Sequence, residues 1–323
     1  GRIVPDKYPY TPSSYLLLNE AGVYKDMTTK RAEGFMKAGL VTGAEFTDYD
    51  MDGDKDLIIS AEWQPLQIFN NSIGHFTKVN SDAFIDTEGI WFSLMATDLD
   101  GDGDEDLLAG NLGLNSKFTA KPGKPFHVYC DDFDSNGTYD IVFSKDYNGN
   151  LVPMRGRECS SQQMPFITDK FSNFSSFANA TLEDIMGKDK LDASLHYQVE
   201  DFSSAAFIND GKGNFTRINL PREAQVSPIM DFMITDLDSD GISEIILVGN
   251  LYPTEVETTR YDASRGLVLR FVDGAFDVVD HRESGLNIAR DSKSLGLINQ
   301  SNRRLLVIGN NNDEISVLEM PKS

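Results

Sequence analysis

The chain has 323 residues, 40% of them hydrophobic, enough for one large repeat fold or two ordinary domains around a real core. Lys and Arg number 29 against 51 Asp and Glu, a net charge of −22 with no basic stripe, which excludes a nucleic-acid partner and makes an anionic membrane surface a poor match. No apolar run reaches the roughly 18 residues a spanning helix needs, and the two cysteines, Cys130 and Cys159, read as free, partly buried thiols rather than a zinc site.

The start, Gly1-Arg-Ile-Val-Pro, carries neither an initiator Met nor a signal peptide and reads as the beginning of an excised mature fragment. Tyr15-Leu-Leu-Leu-Asn-Glu-Ala-Gly-Val-Tyr-Lys-Asp-Met-Thr then predicts a strand, an Asn/Gly turn and a second strand. After a short Gly-containing strand over 42–47 comes Asp48-Tyr-Asp-Met-Asp-Gly-Asp-Lys-Asp, followed by the strand formers Leu57, Ile58 and Ile59.

Five aspartates at alternate positions repel unless a cation sits among them. With Asp48 as position 1, Asp50 is position 3, Asp52 position 5, Gly53 position 6, Asp54 position 7 and Asp56 position 9. Carboxylates at 1, 3 and 5, a Gly that allows a sharp reversal and a carbonyl at 7 are the start of a calcium loop; magnesium demands a stricter octahedron. The loop is not an EF-hand, because Ile59 stands where the twelfth-position Glu belongs and the flanks are strands.

The order recurs. Asp98, Asp100, Asp102, Gly103, Asp104 and Asp106 repeat it; so do Asp132, Asp134, Asn136, Gly137 and Asp140, and again Asp236, Asp238, Asp240, Gly241 and Glu244. Apolar runs follow each: LLAG, IVFS and IILVG. An Asx-rich turn without metal explains one such loop but not a fixed order in four, so up to four structural calcium ions are expected.

A second repeat alternates with the loops. Leu66-Gln-Ile-Phe-Asn-Asn-Ser-Ile-Gly-His-Phe-Thr-Lys-Val, Ala206-Phe-Ile-Asn-Asp-Gly-Lys-Gly-Asn-Phe-Thr-Arg-Ile and, more weakly, Leu269-Arg-Phe-Val-Asp-Gly-Ala-Phe-Asp-Val-Val read as hairpins. Asp48 and Asp98 lie about 50 residues apart, which suits a four-stranded propeller blade. The next interval is only about 34 residues, and the one from Asp132 to Asp236 about 100, room for two blades or one blade and an insertion. The last unit, from Ser294 to Met320, has lost its carboxylates at Asn299-Gln-Ser-Asn-Arg-Arg and should bind no calcium.

The reading is an all-β chain, one β-propeller domain over 1–323 with roughly five to seven blades, calcium-binding loops and a short, partly helical insertion over 145–200. N- and C-terminal strands completing one blade together would close the ring. A β-sandwich is the competing architecture.

These motifs resemble the FG-GAP/VCBS repeat family of β-propellers, in which a D-F-N-G-D-G-x-x-D-L loop precedes a strand and an N-x-G-x-G-x-F hairpin; 98–107 and 207–215 match closely. Tyr15-Leu-Leu-Leu-Asn, Asn111-Leu-Gly-Leu-Asn-Ser-Lys-Phe and Gly309-Asn-Asn-Asn-Asp carry a closer similarity to the C-terminal propeller of bacterial CRTAC-like exported proteins. The resemblance implies an extracytoplasmic recognition or scaffolding module, secreted or attached at the outer membrane or cell surface.

Only four histidines are present, and there is no HExxH, Walker or G-x-S-x-G motif. The polar segment Met154-Arg-Gly-Arg-Glu-Cys-Ser-Ser-Gln-Gln offers Arg155, Arg157, Glu158 and Gln162 as candidates for an acidic or sugar ligand, or as salt bridges that hold the insertion. Trp91 reads as core and Trp63 as an exposed stacking platform. The favoured function is a non-catalytic, calcium-stabilised module that binds protein or glycan at the cell surface. The alternative is a polysaccharide-active lyase or hydrolase, which needs paired acidic groups or a His/Tyr/Arg set in one cleft.

Overall fold

The strands after the first, second and fourth acidic loops are buried on both faces almost throughout, whereas the strand after the third is buried only at alternate positions. A computed structural model describes residues 1–255, 257–301 and 303–320. After an N-terminal hairpin, β1 (Leu17–Glu20) and β2 (Val23–Asp26), the short helix α1 (Thr28–Arg31) and a 3-10 turn lead to the first sheet. Its strands β3 (Leu40–Thr47), β4 (Asp56–Gln64), β5 (Gln67–Ser72) and β6 (His75–Val79) pair antiparallel in chain order, with the two-residue β7 (Gly89–Ile90) added to β4.

The second sheet begins with β8 (Ser93–Thr97) and β9 (Asp106–Gly110). The chain then leaves it to build an entire further sheet from β10 (Phe126–Asp131), β11 (Asp140–Tyr147) and β12 (Asn150–Pro153). Five short helices follow: α2 (Arg157–Gln163), α3 (Phe166–Lys170), α4 (Phe174–Ala178), α5 (Leu182–Met186) and α6 (Lys188–Ala193). Strand β13 (Leu195–Val199) completes this insert sheet in the order β12-β11-β10-β13. Only then do β14 (Ala205–Asn209) and β15 (Phe215–Asn219) finish the second sheet, β14 pairing with β9. The third sheet is β16 (Ile229–Thr235), β17 (Glu244–Gly249), β18 (Leu267–Val272) and β19 (Ala275–Val279), followed by α7 (His281–Ser284). The last sheet is β20 (Ser292–Gln300), β21 (Arg303–Asn310) and β22 (Ser316–Met320).

Packing is face to face and serial. Ile58, Leu107 and Phe207 share one apolar cluster between the first and second sheets. Leu108, Phe232 and Leu247 share the next, and Ile246, Val268 and Ile308 the one after, between the third and last sheets. On the other side of the first sheet, Leu40 and Trp63 meet Phe126 and Val199 of the insert sheet, whose far face is covered by Ile167, Leu182 and Ile185 from its own helices. A central strand sandwiched this way buries both side-chain sets: β4 is buried from Asp56 to Trp63 and β17 throughout, whereas the outer strand β6 is mostly exposed. Each fully buried Ile or Leu contributes about 1.5–3 kcal/mol relative to exposure.

The chain is thus all-β with many antiparallel sheets and few helices. Three sequence expectations change. The helical segment is narrower than 145–200, running from α2 to α6, while the excursion that contains it is wider and includes a four-stranded sheet of its own. The short interval between the second and third loops arises because the third loop belongs to that excursion, where it joins the two central strands rather than an edge strand and its neighbour. Among the described residues the N-terminal hairpin does not join the C-terminal strands. It pairs with itself, and Leu16 beside it packs with Phe35 on the first sheet. Within the predicted last loop, Asn302 lies outside the described residues.

Candidate functional site

The four acidic loops share one backbone construction. In each, the position-6 glycine N–H donates to the position-1 carboxylate: Gly53 to Asp48 at 3.1 Å, Gly103 to Asp98 at 3.1 Å, Gly137 to Asp132 at 2.8 Å and Gly241 to Asp236 at 3.1 Å. The position-5 N–H donates to position 3, at 3.4 Å in the first loop and 3.2 Å in the other three. The position-7 N–H donates to the position-5 oxygen in all four. The glycine adopts φ of +97°, +99°, +89° and +91°, a conformation costly to any residue with a Cβ. That requirement explains why Gly stands at position 6 every time.

This turn gathers carboxylates from positions 1, 3 and 9. Asp48, Asp50 and Asp56 place oxygens within 4.8 Å of one another, as do Asp98, Asp100 and Asp106; Asp132, Asp134 and Asp140; and Asp236, Asp238 and Glu244. The other predicted carboxylate ligands, Asp52, Asp54, Asp102, Asp104 and Asp240, are outside these groups. Asn136, like the other position-5 side chains, accepts the position-7 N–H, here from Thr138. The position-9 carboxylate is buried in every loop because it opens the central strand, and in the first two loops the adjacent hairpin holds it. Asn71 N–H donates to Asp56 at 2.6 Å and Asn209 N–H to Asp106 at 2.7 Å. The repeated Asn of the hairpins was legible in the sequence; its partner was not.

Three of the groups fit a cation. Among the described residues no Lys or Arg ion-pairs with their carboxylates; Lys55 meets Glu105 instead. In the first loop, Asp48 Oδ1 and Asp56 Oδ2 are buried without a hydrogen-bond donor among the described residues, a costly state for a carboxylate oxygen. Burial, with Asp50, Asp52 and Asp54 nearby, pushes the Asp56 carboxyl up to about 6, and burial beside Asp102 and Asp106 does the same to Asp104. Burial also raises Asp106 and Asp140. Hard oxygen donors without a counter-charge are the donor set calcium takes.

The fourth group differs. Arg270, on β18, donates from Nε to Glu244 Oε1 at 2.8 Å and from Nη2 to Asp238 Oδ2 at 2.7 Å, with Glu283 Oε1 at 3.4 Å from Nη1. The hydrogen bond to Glu244, with the negative charges of Glu244, Asp238 and Glu283, raises the Arg270 pKa further. Arg304 from β21 donates to the Asp236 carbonyl at 2.9 Å and to Thr235 Oγ1 at 2.7 Å. Neither arginine was singled out from the sequence.

The predicted ligand residues do not assemble. Arg155 donates to Gln163 Oε1 at 2.9 Å and pairs with Glu255 at 3.0 Å, tying the excursion to the loop after β17. Arg157 donates to the Phe171 carbonyl at 2.7 Å and lies over the Phe174 ring. Glu158 and Gln162 are exposed on α2. Trp63 is not an exposed platform. It sits at a bulge in β4 with φ of +63°, which turns the ring inward against Phe126 and Phe143, and its Nε1–H donates to Tyr8 Oη at 2.7 Å. Trp91 is core, as expected.

A polar group that the sequence did not single out lies on the insert sheet. His127 Nδ1 and His196 Nε2 are 3.0 Å apart, and Tyr129 stacks on His196 at 4.2 Å. Burial, then the neighbouring His196, pushes His127 down to about 4; burial also lowers His196. His196 and Tyr129 reach a cavity of about 530 Å³ between β12, α5, α6 and β13, where Asn150, Glu183, Lys188 and Asp192 supply polar groups.

No helix among the described residues is long and apolar enough to cross a membrane. No curated protein matches the chain. Residues 15–109 match the family model described as FG-GAP-like repeat. That span takes in the N-terminal hairpin, the first sheet and the first two acidic loops, and over it the chain is similar to FG-GAP-like repeats.

Proposed function

We propose that the chain is a calcium-stabilised β-propeller module, non-catalytic, which presents a recognition or scaffolding surface to a protein or glycan outside the cytoplasm. The observation that carries the reading is the recurrence of one turn, hydrogen bond for hydrogen bond, at four strand junctions. A group repeated at each junction serves a need of the scaffold, and a metal bound there adds its binding free energy to folding. Serial face-to-face sheets and the FG-GAP-like match support blades of a propeller. The likeness to CRTAC-like exported proteins belongs to the same proposal.

Recognition is assigned to the excursion, because it alone interrupts the repeat. Within it, the cavity beside His196 replaces Arg155 and Arg157 as the favoured place, since both arginines are engaged with the protein itself. Its size and its mix of amide, carboxylate, ammonium and aromatic groups suit a sugar or a polar peptide side chain. The test is a glycan array, followed by cell-surface binding, with calcium and with chelator. Binding lost in chelator and weakened about tenfold or more by Asn150→Ala or Asp192→Ala supports the proposal. Binding unaffected by either variant removes the cavity, and release of shortened glycan would point to the lyase or hydrolase reading.

A further inference from the structure

We infer that the fourth acidic loop holds the Arg270 guanidinium as a resident cation in place of a metal ion, so that the chain carries three calcium sites and one arginine-closed copy. This rests on the calcium reading of the other three loops.

The backbone of the fourth loop is that of a metal loop, and its carboxylates converge as the others do. Its chemistry is different. Two of the three convergent side chains, Asp238 at position 3 and Glu244 at position 9, already accept hydrogen bonds from one guanidinium. Glu283 adds a third carboxylate to the same group. A guanidinium stays protonated at any ordinary pH, so this compensation is permanent. Calcium, which takes six to eight oxygens, would have to displace those bonds and then sit beside a fixed positive charge. Position 9 is Glu only here, and its extra methylene carries a carboxylate oxygen to Arg270 Nε, while its other oxygen accepts the Leu237 N–H at 2.7 Å. The loop therefore keeps its internal order and loses its need for metal.

Register places the corresponding hairpin residue of each sheet at the same point beside its loop. Ile245 pairs with Leu269 in the third sheet, and Leu57 pairs with Phe69 in the first. The next residue on the hairpin strand is Arg270 in one and Asn70 in the other. Asn70 also reaches position 3 of its loop, donating from Nδ2 to Asp50 Oδ2 at 3.0 Å, but carries no charge. In the second sheet Leu107 pairs with Phe207, and Ile208 follows.

The experiment is native mass spectrometry of the whole chain after calcium loading, checked by elemental analysis. Wild type should hold about three ions per chain; Arg270→Gln should hold about four, and Asn70→Arg about two. Four ions on wild type, or no change in either variant, overturns the inference. No ion on any form instead overturns the calcium reading beneath it. If Arg270→Gln fails to fold, Asn70→Arg and the wild-type count still decide the matter.

Discussion

The second and fourth acidic loops have the same turn and opposite solutions to the same electrostatic problem. In both, Gly at position 6 donates to position 1 at 3.1 Å, and position 5 donates to position 3 at 3.2 Å. In the second, no Lys or Arg of the described residues pairs with Asp98, Asp100 or Asp106; in the fourth, Arg270 bridges Asp238 and Glu244. The turn is therefore fixed locally, by glycine and by N–H donors within nine residues. The charge balance is fixed by a side chain on a strand that only the sheet brings near. A loop motif reports the first and is silent on the second.

The comparison can be broken most forcefully by removing calcium altogether. With three loops uncompensated, chelation should lower the melting midpoint by on the order of 10 °C, measured by calorimetry or intrinsic fluorescence. Equal midpoints with and without chelator would mean that the second loop needs no cation either.

Matched substitutions at position 3 come next. Asp100→Asn keeps an oxygen for the Asp102 N–H but removes a charge, so in calcium it should cost about 2 kcal/mol and in chelator almost nothing. Asp238→Asn should cost about 0.5–1 kcal/mol in both conditions, because it weakens only a half-exposed pair with Arg270. Urea melts of both variants, with and without calcium, check this. A calcium-dependent cost at Asp238 would make the two loops alike.

A modest effect lies away from the loops and sets the baseline against which they are compared. His127 has its folded pKa depressed to about 4, against about 6.5 when unfolded. Between those values the unfolded chain binds more protons, so the stability contributed by the neutral ring is complete above pH 6.5 and is lost as pH falls toward 4. The difference in stability between wild type and His127→Gln should shrink by about 1 kcal/mol over that window, after allowance for solvent screening at the exposed neighbour His196. A constant difference would mean that the ring is not held neutral.

Much of the molecule was legible in its sequence, for reasons the loops make plain. Asp at positions 1, 3 and 9 with Gly at 6 is a local code, and LIIS, LLAG and IILVG are strands that only a doubly covered position can hold. What was not legible depends on partners distant in the chain. The polar flanks of Trp63 suggested exposure, yet a positive φ at a bulge turns the ring into the core. Arg155 and Arg157 looked like ligand groups and instead hold Glu255 and a backbone carbonyl. The insert sheet was hidden because its strands fall between β9 and β14, which pair across the whole excursion. Arg270 stood in a recognisable hairpin, but nothing in that hairpin names the two carboxylates it meets.

Amide hydrogen exchange, followed loop by loop in calcium and in chelator, tests the central claim most directly. The account predicts that 48–56, 98–106 and 132–140 lose protection when calcium is withdrawn, while 236–244 exchanges at the same rate in both, held by Arg270. Equal loss of protection in all four loops, or none in any, would contradict it.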